Sequence, residues 1–173
     1  MKTLSTYNKK RDFKQTREPK GIKSHSSSSR FVIQKHHASH LHYDLRLEMD
    51  GVLKSWAVPK GPPKTGGEKR LAVMVEDHPV SYINFKGIIP KGNYGAGKVE
   101  IYDRGKYFIE NDTGVPVNEK QALKDLKKGE LKISFSGKKI KGSFVLVRLK
   151  NDDQQKNWLL IKHKKKLKSE RPV

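Results

Sequence analysis

Leu41-His42-Tyr43-Asp44-Leu45-Arg46-Leu47-Glu48-Met49 alternates along its whole length. Leu41, Tyr43, Leu45, Leu47 and Met49 fall on one side, and His42, Asp44, Arg46 and Glu48 on the other. A period of two is the pattern of a β-strand with one apolar face turned to a core. The opposite face then carries an imidazole, a carboxylate and a guanidinium in a row. Neutral imidazole and carboxylate are metal ligands. Guanidinium is a planar fork that matches a phosphate. A metal site beside a phosphate clamp is what hydrolysis of a phosphate ester needs. A solvated strand face with scattered charge has the same local pattern, so the rest of the chain must decide between the two.

Outward from this strand, Arg30-Phe31-Val32-Ile33-Gln34-Lys35 reads as a strand leading into a run that holds His36, His37 and His40. Asp50-Gly51 is a two-residue hairpin signal, because both turn positions need positive φ. Val52–Val58 is the return strand, stopped by Pro59-Lys60-Gly61-Pro62-Pro63. Arg70–His78 is the next strand. Its alternation places Leu71, Val73 and Val75 on one face and Arg70, Glu76 and His78 on the other. Pro90-Lys91-Gly92-Asn93-Tyr94-Gly95-Ala96-Gly97-Lys98 is glycine-rich and basic but lacks P-loop spacing, so it reads as a tight turn between strands. Val99–Tyr102 is a short strand, Asp103-Arg104-Gly105 a turn, and Lys106–Glu110 a further extended piece. Asn118–Lys128 is the one helix, with Asn118 as N-cap, Gln121 three residues on, an Ala122, Leu123, Leu126 stripe and Gly129 at C′. Leu131–Ser136, Ser143–Leu149 and Asn157–Lys162 are strands. About seven to nine short strands with one helix and no βαβ alternation predict a mainly β fold, a compact antiparallel β-barrel.

The 173 residues hold 38 Lys+Arg against 18 Asp+Glu, a net charge of +20, and only 34% are hydrophobic. Such an excess predicts a polyanionic partner, nucleic acid first. Residues 1–29 read as a flexible basic arm, 30–163 as the barrel domain and 164–173 as a basic tail. Cysteine is absent, which excludes disulfides, thiolate metal sites and cysteine nucleophiles, so a metal would have to sit on His, Asp and Glu. Apolar runs of membrane-spanning length and a signal-peptide h-region are both missing, so the expectation is a cytoplasmic, nucleoid-associated prokaryotic protein.

A family resemblance runs from about Arg11 to about Lys162. It is carried by Gln34-Lys35-His36, Leu41–Glu48, Asp50-Gly51-Val52-Leu53-Lys54-Ser55-Trp56-Ala57-Val58-Pro59-Lys60-Gly61-Pro62, Arg70–Val73, Val75-Glu76-Asp77-His78-Pro79, Tyr82 and Ile89–Gly97. These motifs resemble the 3′-phosphoesterase domain of bacterial and archaeal ATP-dependent DNA ligase D, here as a stand-alone member. The resemblance implies a Mn²⁺-dependent enzyme of non-homologous end joining, and a mixed imidazole and carboxylate ligand set would also take Co²⁺ or Zn²⁺. Its substrates would be DNA or RNA–DNA primer-template 3′ ends. It would remove a 3′-terminal ribonucleoside to leave a 3′-phosphate, then remove that phosphate to leave a 3′-hydroxyl. Separate ligase, polymerase or Ku-like proteins are the implied partners, and a monomer is the default for a small barrel.

Carried over by position, His36, His42 and Asp44 are the implied metal ligands, and Arg46 and His78 hold the scissile phosphate. Glu76, Arg70, Lys60 and Tyr82 are implied as supporting site residues, with Arg11, Asp12 and Glu18 from the arm. A protonated His78 could also protonate the leaving oxygen. His40 is a rival to His36, because a strand regular from 36 to 42 would put both on one face with His42. His37 is expected to be an exposed histidine, and Glu48 to support the site or face solvent. The competing class is a non-catalytic basic barrel that binds nucleic-acid ends. A nucleotidyltransferase using Lys60 is disfavoured by the lack of a Lys-x-Asp-Gly motif.

Overall fold

The structure is a computed structural model, and it describes residues 4–25 and 28–164. After a short helix α1 (Ser5–Lys9), the chain forms β1 (Arg30–His37), β2 (Leu41–Met49), β3 (Val52–Val58) and β4 (Lys69–Pro79). A 3-10 turn (Val80–Asn84) leads to β5 (Gly87–Ile89) and the long β6 (Gly97–Ile109). Helix α2 (Glu119–Lys128) precedes β7 (Glu130–Ser136), β8 (Lys141–Arg148) and β9 (Asn157–Lys162). The strands run in the order β1-β2-β3-β4-β9-β8-β7-β6, and a β1–β6 pairing closes the circle. All pairs are antiparallel, and β5 hangs outside on β6. The fold is therefore a closed eight-stranded barrel with one extra strand and two short helices, as the strand count predicted. Of the basic tail, only Lys164 lies within the described residues.

Local chemistry explains the joints. Asp50 and Gly51 both hold positive φ, 56° and 74°, as a hairpin turn that follows the strand twist requires. The Asn118 side chain accepts from the Gln121 N–H, and Gly129 ends α2 at φ 93°. Inside the barrel, Phe31, Leu45, Leu47, Trp56, Leu131, Phe144, Leu146 and Trp158 are fully buried. A second, smaller cluster lies on the outer surface of the β1–β2–β3 wall. It joins Val32 and Leu53 to Tyr7 from the arm and to Tyr82 and Ile83 from the 3-10 turn. This wall is covered on both sides, which is why most of β2 from Asp44 onward is buried irrespective of parity.

Two readings of the strands need correcting. Asp103-Arg104-Gly105 does not turn the chain; β6 runs through it. Ile33 pairs with Asp103 but Gln34 with Ile101, so β6 carries one extra residue, a β-bulge. The turn-like residues have other work. The Asp103 carboxylate accepts the N–H groups of Lys138, Lys139 and Ile140 at 3.0, 3.0 and 2.8 Å, fastening the β7–β8 turn. A side chain at Gly105 would meet the Ser136 carbonyl oxygen at 2.2 Å.

The second correction concerns β4. Ser55 pairs with Val75 and Leu53 with His78, so two residues of β3 span three of β4. The bulge inverts the parity. Ala72 is buried in the interior and Met74 packs against it, while Leu71 is 44% exposed and Val75 faces outward with Glu76 and His78. Arg70 shares the parity of Ala72 and Met74, on the opposite face from Glu76 and His78.

Asp103→Ala would strand three backbone donors at a turn whose Ile140 is buried. The expected loss is about 2–4 kcal/mol in urea unfolding, with the m-value unchanged.

Candidate metal centre and phosphate pocket

The site is assembled by strand register. On the outer face of β1 and β2, Val32 lies opposite Arg46, Gln34 opposite Asp44 and His36 opposite His42, and the side chains of Arg30 and Glu48 meet at the end of the row. Arg30 and Glu48 form a two-pronged ion pair at 2.8 and 3.1 Å, so Glu48 is a buried partner of Arg30. The three opposed pairs build a cavity of about 250 Å³. It is lined by His36, His42, Asp44 and Arg46 from this pair, by Glu76, His78 and Tyr82, and by Arg11 from the arm.

His36, His42 and Asp44 bring three ligating atoms within 4.8 Å of one another. Nδ1 of His36 is 3.5 Å from Asp44 Oδ2, and Nε2 of His42 is 3.3 Å from Oδ1. Each imidazole's other nitrogen sits on a backbone carbonyl: His36 Nε2 on Gly95 at 2.6 Å, His42 Nδ1 on His40 at 3.1 Å. A carbonyl only accepts, so in the neutral rings these nitrogens donate, and His36 Nδ1 and His42 Nε2 are the nitrogens left to ligate a metal beside Asp44. Outer hydrogen bonds that fix the tautomer in this way are the usual support of metal-ligating histidines. His40 contributes only its carbonyl. Strand β1 ends at His37 and residues 38–40 bend, so the parity that made His40 a rival to His36 does not carry across. His37 is exposed and pairs with Glu100 at 2.7 Å.

The electrostatics follow from the cluster. Burial alone would raise the Asp44 pKa, but Arg46 and the two histidines hold it far below the usual carboxylate range. Asp44 therefore stays ionised, as a ligand must. In its protonated form His42 donates Nε2 to Asp44, and this hydrogen bond raises the His42 pKa against the opposing effect of burial.

Beside the cluster, Arg46 is 4% exposed. Its Nε donates to Gln34 Oε1 at 2.7 Å, its Nη2 lies 3.4 Å from Asp44 Oδ2, and its guanidinium sits over the Tyr82 ring. Nη1 is buried with no hydrogen-bond partner among the described residues. Gln34 is fully buried and locks the arrangement, its Nε2 donating to the Tyr82 and Phe85 carbonyls. His78 Nδ1 is 3.0 Å from the Glu76 carbonyl, so Nε2 is an acceptor, 3.5 Å from Arg11 Nη2. Burial, with Arg46 and Arg11 adding to it, pushes the His78 pKa well down.

The arm lies over this pocket. Arg11 Nε donates to Glu18 at 2.9 Å and Nη1 to the Tyr7 carbonyl, while its guanidinium stacks 3.8 Å from the centre of the Tyr7 ring. Glu18 also accepts from Tyr82 at 2.7 Å and from Thr16. Burial raises the Tyr82 pKa, and Glu18 adds to the shift, so Tyr82 stays a donor. Lys10 reaches Glu76 at 3.3 Å and the Tyr94 hydroxyl at 3.4 Å, tying the arm to the glycine-rich turn.

Four expected residues are not in the cavity's lining, and one of them, Glu18, is buried and holds Arg11 and Tyr82. Asp12 is exposed and caps its own turn through the Lys14 N–H. Arg70 pairs with Glu68 on the interior parity of β4. Lys60 is exposed in the turn after β3. Gln34, Tyr7, Lys10 and Tyr94 were not assigned roles from sequence. Gln34 could have been, since it shares the parity of His36; the others announce themselves only through long-range contacts.

The family of the DNA ligase D 3′-phosphoesterase domain matches residues 34–148, which contain both the His/His/Asp cluster and Arg46. The chain belongs to this family. It is 47% identical over 166 residues to the multifunctional non-homologous end joining protein LigD of Pseudomonas aeruginosa, covering 94% of this chain and 19% of that protein. It is 48% identical over 158 residues to the LigD protein of Mycolicibacterium smegmatis, covering 90% and 20%. For LigD of Mycobacterium tuberculosis the identity is 41% over 160 residues, covering 90% and 19%. The chain thus spans about a fifth of the length of these bacterial relatives. Among the described residues of this phosphoesterase-family chain, no helix is long and apolar enough to cross a membrane.

The His78 environment gives a pH test. Its folded pKa is depressed, so above the unfolded value of about 6.5 both states are neutral and the group is silent. As pH falls below about 6.5 the unfolded chain takes up a proton that the native state refuses, and stability is lost. The stability of wild type minus that of His78→Asn should fall by about 1.4 kcal/mol per pH unit from about 6.5 to 5, in urea unfolding with chelator present. Parallel curves would mean that His78 is protonated in the native state.

Proposed function

We propose that this protein is a Mn²⁺-dependent 3′-end-healing phosphoesterase. It removes a 3′-terminal ribonucleoside to leave a 3′-phosphate and then hydrolyses that phosphate to a 3′-hydroxyl, preparing ends for joining in repair. The observation that carries this reading is Arg46, which lines a cavity beside a two-histidine, one-carboxylate cluster and whose Nη1, a buried guanidinium donor, has no hydrogen-bond partner among the described residues. A buried charged donor without a partner is costly, and a phosphate oxygen is the acceptor that suits it.

In this reading His36, His42 and Asp44 would hold the metal, and a metal bound there would supply Lewis acidity toward a phosphate oxygen and water. Two imidazoles and one carboxylate leave coordination positions open, as a catalytic site needs, and also accept Co²⁺ or Zn²⁺. Arg46 orients the phosphate with Nη1, its plane held by Gln34. Arg11 brings a second guanidinium from above. Such positioning and neutralisation are most of what a protein contributes to phosphoryl transfer. His78 in its neutral form presents an acceptor nitrogen. A bound phosphate dianion would raise its pKa by the same Coulomb rule through which Arg46 and Arg11 lower it, which would let it pass a proton to the leaving oxygen. Glu76 and Glu18 set the positions of Lys10 and Arg11, and Tyr82 fixes Glu18. The working unit is the barrel, 30–163, with the arm, 1–29, as its cover and the tail, 164–173, as a further basic contact. Lys60, Arg70 and Asp12 would act from outside the cavity. Primer-template 3′ ends are the substrates, and ligase, polymerase or Ku-like proteins act on the same ends.

The test is a labelled primer-template carrying one 3′-terminal ribonucleotide, incubated with wild type and His42→Ala, with Mn²⁺ and with chelator. Wild type with Mn²⁺ should yield first the 3′-phosphate and then the 3′-hydroxyl product. His42→Ala should slow both steps by about 100-fold or more. Tight binding without any metal-dependent change of the 3′ end would leave a non-catalytic end-binding barrel.

A further inference from the structure

A second groove, of about 720 Å³, lies beside the cavity, and Val99 lines both. Its walls carry Lys86, Lys98 and Arg104 with the exposed Ile88. Glu100 is its one acidic residue, and it is already engaged by His37 at 2.7 Å. Lys86 and Lys98 make no ion pair among the described residues, and Arg104 reaches only Asn84, at 3.3 Å. On a chain of net charge +20, cations alone select no surface. Register does. Gly87 pairs with Val99, Val99 with His36, and His36 with His42, so the metal cluster and the groove lie along one line across four strands. The line ends at β5, which among the described residues pairs with β6 alone, so that its other edge joins no strand. Neighbouring strands are about 4.8 Å apart, so β5 lies about 10 Å from His36. For a strand stacked as in a duplex, whose charges advance about 3.4 Å each along the helix axis, that is roughly three nucleotide steps.

We infer that this groove holds the sugar–phosphate backbone of the strand whose 3′ end enters the cavity. It would engage the phosphates about two to four steps upstream, through Lys86, Lys98 and Arg104 and the outer edge of β5. The inference rests on the phosphoesterase reading for the direction of the strand. Its occupant is nucleic acid because the groove is cationic and continuous with a phosphate pocket. Backbone N–H groups and lysines are the usual positioning contacts to phosphates. Ile88, 70% exposed, offers an apolar surface to a sugar.

The experiment compares wild type with the Lys86→Ala/Lys98→Ala/Arg104→Ala variant on single-stranded primers of two, four and eight nucleotides. One set ends in a 3′-phosphate for turnover, and one in a 3′-hydroxyl for binding by fluorescence anisotropy. Wild-type kcat/KM should rise with length and level off beyond about five nucleotides. In the variant the loss should grow with length, from about twofold or less on the dinucleotide to about tenfold or more in KM on the octanucleotide. The slope of log affinity against log salt should fall by about 2, as expected for three phosphate contacts on a single strand. An unchanged length dependence and salt slope would overturn the inference and leave the β5 edge for pairing with a protein strand. The binding set needs no chemistry, so a wild type that binds but releases no phosphate would sink the catalytic reading alone and leave the groove tested.

Discussion

The outer row of the β1–β2 ladder contains Arg46, a guanidinium with almost no exposure, and much of the surrounding structure follows from keeping it dry and paired. An isolated buried charge is very costly, so it needs counter-charge and hydrogen bonds from every side. Asp44 on its own strand, Gln34 across from Asp44 and the Tyr82 ring below provide them. Those residues then need partners of their own. Gln34 takes the Tyr82 and Phe85 carbonyls, which fixes the segment after β4. Tyr82 takes Glu18, and Glu18 takes Arg11, which pins the arm over the pocket. The chain of contacts runs from one cross-strand pair to a segment more than twenty residues earlier. The wall is therefore covered on both faces, although a barrel needs only one.

Two bulges let the same wall serve interior and site. A regular β4 that kept Ala72 and Met74 inward would also have turned Glu76 and His78 inward. The extra residue opposite Leu53 and Ser55 resets the parity, so both acquire the pocket face while the core side remains apolar. The bulge in β6 occurs near Asp103, which uses its carboxylate to hold the β7–β8 turn. Bulges sharpen the local twist and are tolerated where a side chain must be re-aimed.

This is also where legibility ended. β2, the Asp50-Gly51 hairpin and the Asn118-capped helix were readable because period, turn chemistry and capping are local. The barrel followed from the number of strands and the lack of βαβ units. A bulge leaves no local mark, so Leu71, Val73 and Val75 looked like a core face and Arg70 like a neighbour of His78. Asp103-Arg104-Gly105 has turn composition, but its glycine is needed for close approach to Ser136 and its aspartate for backbone capture. The exclusion of His40 from the cluster depends on the bend at 38–40, which the alternation on either side conceals. Of the cavity's lining, His42, Asp44 and Arg46 could be read from one strand. The arrival of Arg11 from the arm could be expected only from family likeness, since its anchors Tyr7 and Glu18 are far from β2 in sequence.

The pocket's charges are arranged against one another. Two guanidiniums, Arg46 and Arg11, are set against the carboxylates of Asp44, Glu76 and Glu18, beside a histidine that the guanidiniums help to keep neutral. A divalent cation alone would add positive charge beside two guanidiniums; a phosphate alone would set an anion near Asp44 and Glu76. Together they offset each other, because the cation screens Asp44 from the phosphate while the phosphate answers Arg46 and Arg11. Binding of the two would thus be mutually favourable on Coulomb grounds, with each raising the other's affinity by the same factor. The buried setting strengthens that coupling, since the low dielectric that makes an unpartnered Arg46 donor costly also magnifies the interaction that satisfies it.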